Sequence, residues 1–368
     1  MRTWPERGAE ALPQGGVLAM AAVAPAAAAT YAYVGNADSN DISILELKPE
    51  DGSLTKVDQV AIPGITKPGG SLPLALSPDH RFLYAGLRGE PLVVASFRID
   101  PLTGRLTHLG NAPLADSMAY IVTDRSGRFL LSASYGGNKI SVNPIGPQGL
   151  VQPPQQVVMT EPKAHAIMTD PANRHVLATS LGGDILLQER FDAATGMLTP
   201  NDPPSVAIPA GAGPRHFVFA PDGRQVYVIA ELDGSVTVFR YDAASGRLSQ
   251  RQVTSVLPPG FDGKPWAADI HVTPDGRFVY ASERTSSTIR GFSVDPATGL
   301  LVPIDSYLTE KQPRGFNIDP TGRYLLAVGQ LSHHLTTYRI DQATGALTEV
   351  GGIEVGKNPN WVEIVTLP

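Results

Sequence analysis

The sequence predicts an all-β protein: a seven-bladed β-propeller with four-stranded blades, its first blade closed by the C-terminal strand. Three observations carry that prediction. A short phrase, an acidic or turn residue followed within a few positions by Gly and Leu, recurs with its glycine at Gly52, Gly104, Gly149, Gly196, Gly246, Gly299 and Gly345. A second kind of turn, PDGR or PxxR, recurs at Pro78, Pro171, Pro221, Pro274 and Pro320, with a variant copy at Arg125. Finally, no stretch of the 368 residues sustains a helical period.

In chain order, residues 1–29 stand outside the repeat. Val17 to Ala29, VLAMAAVAPAAAA, is apolar but too short to span a bilayer as an ordinary helix. It reads either as a leader with Met20 the true start, or as a signal peptide whose n-region sets Arg2 and Arg7 against Glu6 and Glu10. The domain is then 30–368. The phrase copies follow as EDGSL, DPLTGRL, GPQGL, DAATGML, DAASGRL, DPATGLL and DQATGAL, spaced 45 to 53 residues apart. That period suits a four-stranded blade and exceeds most helical solenoid repeats. Each proline turn precedes a short run rich in Val, Leu and Tyr, which reads as strand between turns. There are six such turns for seven phrases, and the missing one is C-terminal. NPNWVEIV resembles GPRHFVFA but no turn follows it, while TYAYVGN near the N-terminus resembles the strand that should come next. The last strand is therefore expected to complete the first blade and remove an open sheet edge.

Composition excludes several classes. A hydrophobic content of 42% supplies a core, and 37 Gly with 33 Pro fit a turn-rich chain. A net charge of −6 without a basic cluster argues against nucleic acid as a partner. The absence of cysteine rules out disulfides, thiolate metal sites and cysteine nucleophiles. Neither a nucleotide-binding loop nor a GxSxG elbow occurs.

Registering the blades on the turn proline exposes the candidate site. Four residues before it stand Leu74, Ile121, Ile167, Phe217, Ile270, Phe316 and Val362, all apolar, as packing between blades requires. Six residues before it stand Leu72, Ala119, His165, Arg215, Ala268, Arg314 and Asn360. Three blades thus put a charged or titratable group where the innermost strand begins beside the channel. Ten residues after the proline stand Arg88, Tyr135, Leu181, Glu231, Arg284 and Gln330. The first strand runs from one face to the other and the second runs back, so both columns share a face. His165, Arg215, Glu231, Arg284, Arg314 and Gln330 are expected around a single channel mouth, with Arg215 and Glu231 close neighbours.

Arginines suit bidentate recognition of phosphate or carboxylate, and a nearby histidine or carboxylate serves as general base. The competing reading is of solvated strand ends with weak ion pairs. His271 falls three residues before its proline, in a column that also holds Asn317 and Glu363. It either lines the channel or is satisfied by Asp269 or a backbone carbonyl. His333 and His334 open a third strand on the same face, but no second cluster with ligand spacing accompanies them, so no metal is expected. Arg224, Arg277 and Arg323 read as turn residues of the opposite face.

Three strings, GAGPRHFVFAPDG, WAADIHVTPDGRFVYASERT and QPRGFNIDPTGRYLLAVGQLSHH, closely resemble the propeller-type bacterial 6-phosphogluconolactonases, a seven-bladed family that includes the fungal carboxymuconate lactonising enzymes. The resemblance is strong over 205–365, weaker but in register over 30–200, and weakest around EPKAHAIMTDPA. It implies hydrolysis of 6-phospho-glucono-1,5-lactone in the pentose phosphate pathway, in the cytoplasm, without metal or cofactor. A genuine signal peptide would instead place the protein in the periplasm or outside the cell. From the muconate branch it implies His165, Arg215, Glu231 and either Arg284 or Arg314 as working residues. On this expectation Glu231 or His165 deprotonates water, the other donates a proton, and Arg215 stabilises the oxyanion. Arg284 and Arg314 hold the phosphate, with His271, Gln330 and His333 as further binding candidates. The expected partner is a small sugar lactone, with no nucleic acid or membrane, the chain being a monomer or weak homo-oligomer. Two rivals remain: an enzyme for an unphosphorylated or carboxylated lactone, and a non-catalytic binding propeller.

Overall fold

The recurring phrase folds as the hairpin turn between the third and fourth strands of every blade. At Gly104 the backbone has φ 65°, a left-handed conformation suited to glycine, and its N–H donates to Asp100 O at 2.9 Å. The same glycine serves a second purpose. A Cβ there would lie 2.5 Å from Tyr31 Cδ1, because the turn packs on an aromatic ring of the preceding blade. Gly246 repeats the arrangement at φ 71° against His175. The phrase is therefore also the joint between blades, with Tyr33 Oη and Tyr280 Oη donating to the carbonyls of Gly104 and Gly345.

The computed structural model describes residues 1–6, 8 and 28–368. The apolar leader stretch Val17–Ala29 lies outside these residues except for its last two. Seven antiparallel four-stranded sheets are formed. Their innermost strands are Pro359–Leu367, Leu74–Leu76, Met118–Thr123, Ala164–Thr169, Pro214–Phe219, Ala267–Val272 and Pro313–Ile318, from the first blade to the seventh. These contact one another in order and close the ring. The first blade is composite, as the count of turns requires: Ala29–Asn36 pairs on one side with Asp41–Leu47 and on the other with Pro359–Leu367. Thr30 and Thr366 hydroxyls meet at 2.9 Å across that closure.

Alternating apolar residues build the core between blades. Seven buried clusters form, each combining side chains of two adjacent blades. The apolar column predicted four residues before each turn, Leu74 through Val362, is buried throughout. Among the described residues no helix is long and apolar enough to cross a membrane.

One irregularity positions the site. Nearly every innermost strand is bulged at its start: the register with the second strand slips between Met118 and Tyr120, Ala164 and Ile167, Pro214 and His216, Ala267 and Ile270, and Pro313 and Gly315. A bulge inserts an unpaired residue and re-aims its side chain. The residues so released include Ala119, His165, Arg215, Ala268 and Arg314, the column that departs from the repeat.

Candidate active site

Arg215 leaves its bulge to lie in the interior of the mouth, only 1% exposed. Such a group requires a full set of acceptors. Its Nε donates to Glu231 Oε2 at 2.9 Å and its Nη1 donates to Ala268 O. Glu231 follows the second strand of the same blade, and its own N–H is fixed to Gly213 O at 2.7 Å. From the next blade, Arg284 Nη2 donates to the same Glu231 oxygen at 2.8 Å. Arg284 also donates to the carbonyls of Trp266 and Ala267, and its guanidinium lies 3.9 Å from the centre of the Trp266 ring. The structure thus brings Arg215, Glu231 and Arg284 together around one carboxylate oxygen.

His165 stands on the fourth blade beside this group. Thr179 Oγ1 ties it in place, accepting from Ala166 N at 2.9 Å and donating to Arg215 O at 2.7 Å. The imidazole packs edge-on against His216 at 5.1 Å and Tyr135 at 5.9 Å, and its Nδ1 is buried without a partner. Arg314 comes from the seventh blade, half-buried, with Nη1 donating to Gly70 O at 3.3 Å.

Electrostatics follow from burial among like charges. Burial tends to raise the Glu231 carboxyl, but Arg215 and Arg284 outweigh it and hold the group below its ordinary value. Burial first, and Arg215 second, hold the His165 imidazolium well below its usual range, so this histidine is neutral at neutral pH. Burial and neighbouring arginines likewise depress Arg314. Among the described residues Glu231 is the one carboxylate hydrogen-bonded to any arginine of the mouth.

The remaining candidates lie apart from this cluster. His271 is bound by Asp269, Nε2 to Oδ2 at 3.3 Å, and packs on Phe316 inside the channel. Both possibilities left open for it thus apply. Gln330 is consumed in a chain of amides, accepting from Gln312 Nε2 and donating to Asn358 Oδ1. His333 is an exposed turn residue at φ 56° whose Nδ1 accepts from Asn358 N at 3.2 Å. It shares the face but sits outward of the mouth, between second and third strands. His334 bonds Glu310 instead, Nδ1 to Oε1 at 2.7 Å.

The structure also adds residues that the two registered columns do not single out. His216 and Asp269, one position beyond Arg215 and Ala268, form a buried pair at 2.7 Å. Asp269 holds both His216 and His271, and is pulled below its ordinary value by those histidines against the opposing effect of burial. Burial and Arg215 push His216 down to about 4. Tyr120 packs edge-on against both His216 and Trp361, which lie tilted against each other, across the channel. Arg88 belongs to the second registered column and also faces the mouth. A groove of about 710 Å³ on the opposite face is lined by Arg224, Arg240, Arg251 and Arg277. Arg277 there is paired with Asp275 at 2.7 Å and half exposed, in keeping with a turn residue.

The closed seven-bladed ring thus carries at one channel mouth an arginine-clamped carboxylate drawn from consecutive blades. The chain belongs to the seven-bladed β-propeller lactonase family, whose model, described as Lactonase, 7-bladed beta-propeller, matches residues 26–364. It is 42% identical over 336 residues to the 6-phosphogluconolactonase of Pectobacterium carotovorum, covering 91% of this chain and 98% of that one. The Serratia proteamaculans 6-phosphogluconolactonase is 40% identical over 333 residues, covering 90% and 98%. Among solved structures, the Pseudomonas aeruginosa periplasmic gluconolactonase superposes with a TM-score of 0.84 at 29% identity, covering 92% of this chain and all of that one.

Proposed function

We propose that the protein hydrolyses 6-phospho-D-glucono-1,5-lactone to 6-phospho-D-gluconate, the lactone step of the pentose phosphate pathway. The observation that carries this reading is the charge balance of the mouth: Arg88, Arg215, Arg284 and Arg314 against the single bound carboxylate of Glu231. Such a site favours a substrate that arrives with negative charge and develops more at the carbonyl. The two 6-phosphogluconolactonases named above support the same substrate.

Glu231 Oε2 is occupied by both arginines, which leaves Oε1 as the atom to accept a proton from water. Water then attacks C1, and Arg215 stabilises the oxyanion of the tetrahedral intermediate. Collapse breaks the bond between C1 and the ring oxygen, which must gain a proton. Neither Glu231 nor His165 carries an acidic proton at neutral pH, so the donor is created in the first step. Whichever of the two takes the proton from water returns it to the ring oxygen. Arg314 steadies the phosphate, whose charge persists throughout and supplies binding energy for positioning, while Arg284, expected at the phosphate, is instead bonded to Glu231 and serves the reacting end. A sugar phosphate is retained inside the cell, which makes the cytoplasm the site of action.

The likeness to a periplasmic gluconolactonase favours one second reading, an unphosphorylated aldonolactone substrate. Turnover of phosphorylated and unphosphorylated sugar lactones, corrected for spontaneous hydrolysis, separates the two. The expected result is a kcat/KM higher for the phosphorylated ring. Preference for glucono-1,5-lactone would select the second reading, and acceleration of neither would leave a binding propeller.

A further inference from the structure

The turn that joins the first blade to the second, Lys67–Ser71 (KPGGS), is built against the end of the second blade's second strand. Thr66 N and Lys67 N both donate to Glu90 O, and Glu90 N donates to Lys67 O at 2.9 Å. Gly69 and Gly89 allow this approach, since a Cβ on Gly69 would overlap the Arg88–Gly89 backbone and one on Gly89 would overlap Lys67 O. The result is a firm ledge at the rim of the mouth. At Gly70 the ledge is open: nothing lies within 4 Å of the position a Cβ would take.

Two arginines converge on this ledge from opposite directions. Arg88 donates from Nη1 to Ser71 Oγ at 3.1 Å and from Nε to Ser117 Oγ at 3.4 Å. Arg314, from the seventh blade, donates from Nη1 to Gly70 O at 3.3 Å. The two guanidiniums therefore hold adjacent residues of one turn. Both are half-buried, and neither forms an ion pair with a carboxylate among the described residues. This separates them from Arg215 and Arg284, which share Glu231. Their unused donors, Arg88 Nη2 together with Arg314 Nε and Nη2, form no protein hydrogen bond among the described residues. Arg88 and Arg215 oppose each other's charge, which keeps the ledge within electrostatic reach of the catalytic cluster.

We infer that Arg88 and Arg314, braced by the Gly69–Gly70–Ser71 turn, form the subsite that takes the substrate's phosphoryl group. This rests on the lactonase reading above and divides the mouth in two. Arg215 and Arg284 serve the carboxylate and the reacting carbonyl, while Arg88 and Arg314 read the phosphate and set the preference for a phosphorylated ring. Planar forks with free N–H pairs match phosphoryl oxygens bidentately, and a partly desolvated pair without counter-ion favours a doubly charged group.

Calorimetry on the full chain tests the assignment with two reaction products, 6-phosphogluconate and gluconate, as probes. The wild type is expected to bind the phosphorylated acid more tightly. Arg88→Gln and Arg314→Gln should each cut that preference by about tenfold to a hundredfold, the effect of losing charge-assisted hydrogen bonds. Thermal melts establish which variants are folded, and either suffices. Absence of a preference in the wild type, or a preference intact in a folded variant, overturns the subsite. Hydrolysis of 6-phospho-glucono-1,5-lactone, measured alongside, separates the two claims. Arg88-dependent phosphate recognition without turnover removes the lactonase reading and keeps the subsite. Turnover without Arg88 dependence does the reverse.

Discussion

Glu231→Gln is the most informative single substitution, because it keeps the shape of the side chain and removes only its charge. In the native mouth one oxygen accepts from Arg215 Nε at 2.9 Å and from Arg284 Nη2 at 2.8 Å. A glutamine oxygen still accepts a hydrogen bond, but its NH₂ group facing either guanidinium sets donor against donor. The arginines retain their bonds to the carbonyls of Ala268, Trp266 and Ala267. Removing one partner of a buried pair costs about 3–5 kcal/mol. With one bond kept and a Glu231 side chain 13% exposed, the lower end, about 3 kcal/mol, applies. Melting should fall by about 5 °C, with the fold intact. Turnover should fall much further, about 10²- to 10⁴-fold, the usual worth of a general base. Product formation coupled to 6-phosphogluconate dehydrogenase, corrected for spontaneous opening of the lactone, gives the rate. A folded variant within about twofold of the wild type, far inside the range for a lost base, would refute the role of Glu231. The stability part has its own check in pH. The Glu231 carboxyl is depressed in the folded state, so its stabilisation is complete above its ordinary value of about 4.3 and is lost as pH falls through the lower folded value. The gap in melting temperature between wild type and variant should therefore be full at neutral pH and close in acid.

Other outcomes follow from the same structure. With Glu231 ionised and His165 neutral, kcat/KM should show no acid limb from these groups near neutrality, leaving only the shallow effect of the substrate phosphate, which titrates near about pH 6; a steep loss from pH 8 to 6.5 would contradict this assignment. Gly104→Ala should cost about 2–4 kcal/mol by urea unfolding, from left-handed strain and collision with Tyr31. Gly211→Ala, at φ 80° with nothing within 4 Å, should cost only the strain, about 1 kcal/mol. A chain ending before Pro359 leaves Ala29–Asn36 as an unpaired edge, and light scattering should show association with loss of a cooperative melt.

Much of the fold was legible because a propeller repeats its instructions. Seven turn glycines gave the number of blades, and the missing seventh proline turn revealed which blade is shared between the termini. What the repeat concealed was the reason its glycine is required so regularly. A type of turn explains the left-handed backbone, but only the structure shows each turn pressed on a side chain of the preceding blade, such as Tyr31 beneath Gly104 or Phe278 beneath Gly345. That contact joins residues more than sixty positions apart and leaves no local trace in sequence.

The site was half legible, and the bulge explains which half. Strict alternation along a strand sends consecutive side chains to opposite faces, so a reading by columns takes one position and passes over the next. At the start of the innermost strands the extra residue breaks that rule. Arg215 reaches Glu231 while the adjoining His216 reaches Asp269, and both belong to the channel. The position one beyond the charged column holds Pro73, Tyr120, Ala166, His216, Asp269, Gly315 and Trp361, as irregular as its neighbour, and its polar and aromatic members close the channel beneath the mouth. Bulging involves the pairing partner as well as the strand's own residues, which is why His216 did not stand out beforehand and Asp269 did so only as a partner for His271. Arg88 stood in the second column but outside the expected constellation, for a different reason. Its acceptors, Ser71 and Ser117, lie in the connections that enter and leave its blade, just outside the registered positions. On the assignment proposed above, the strand ends that depart from the repeat carry the chemistry, and the connections that brace Arg88 and Arg314 carry the preference for a phosphorylated ring.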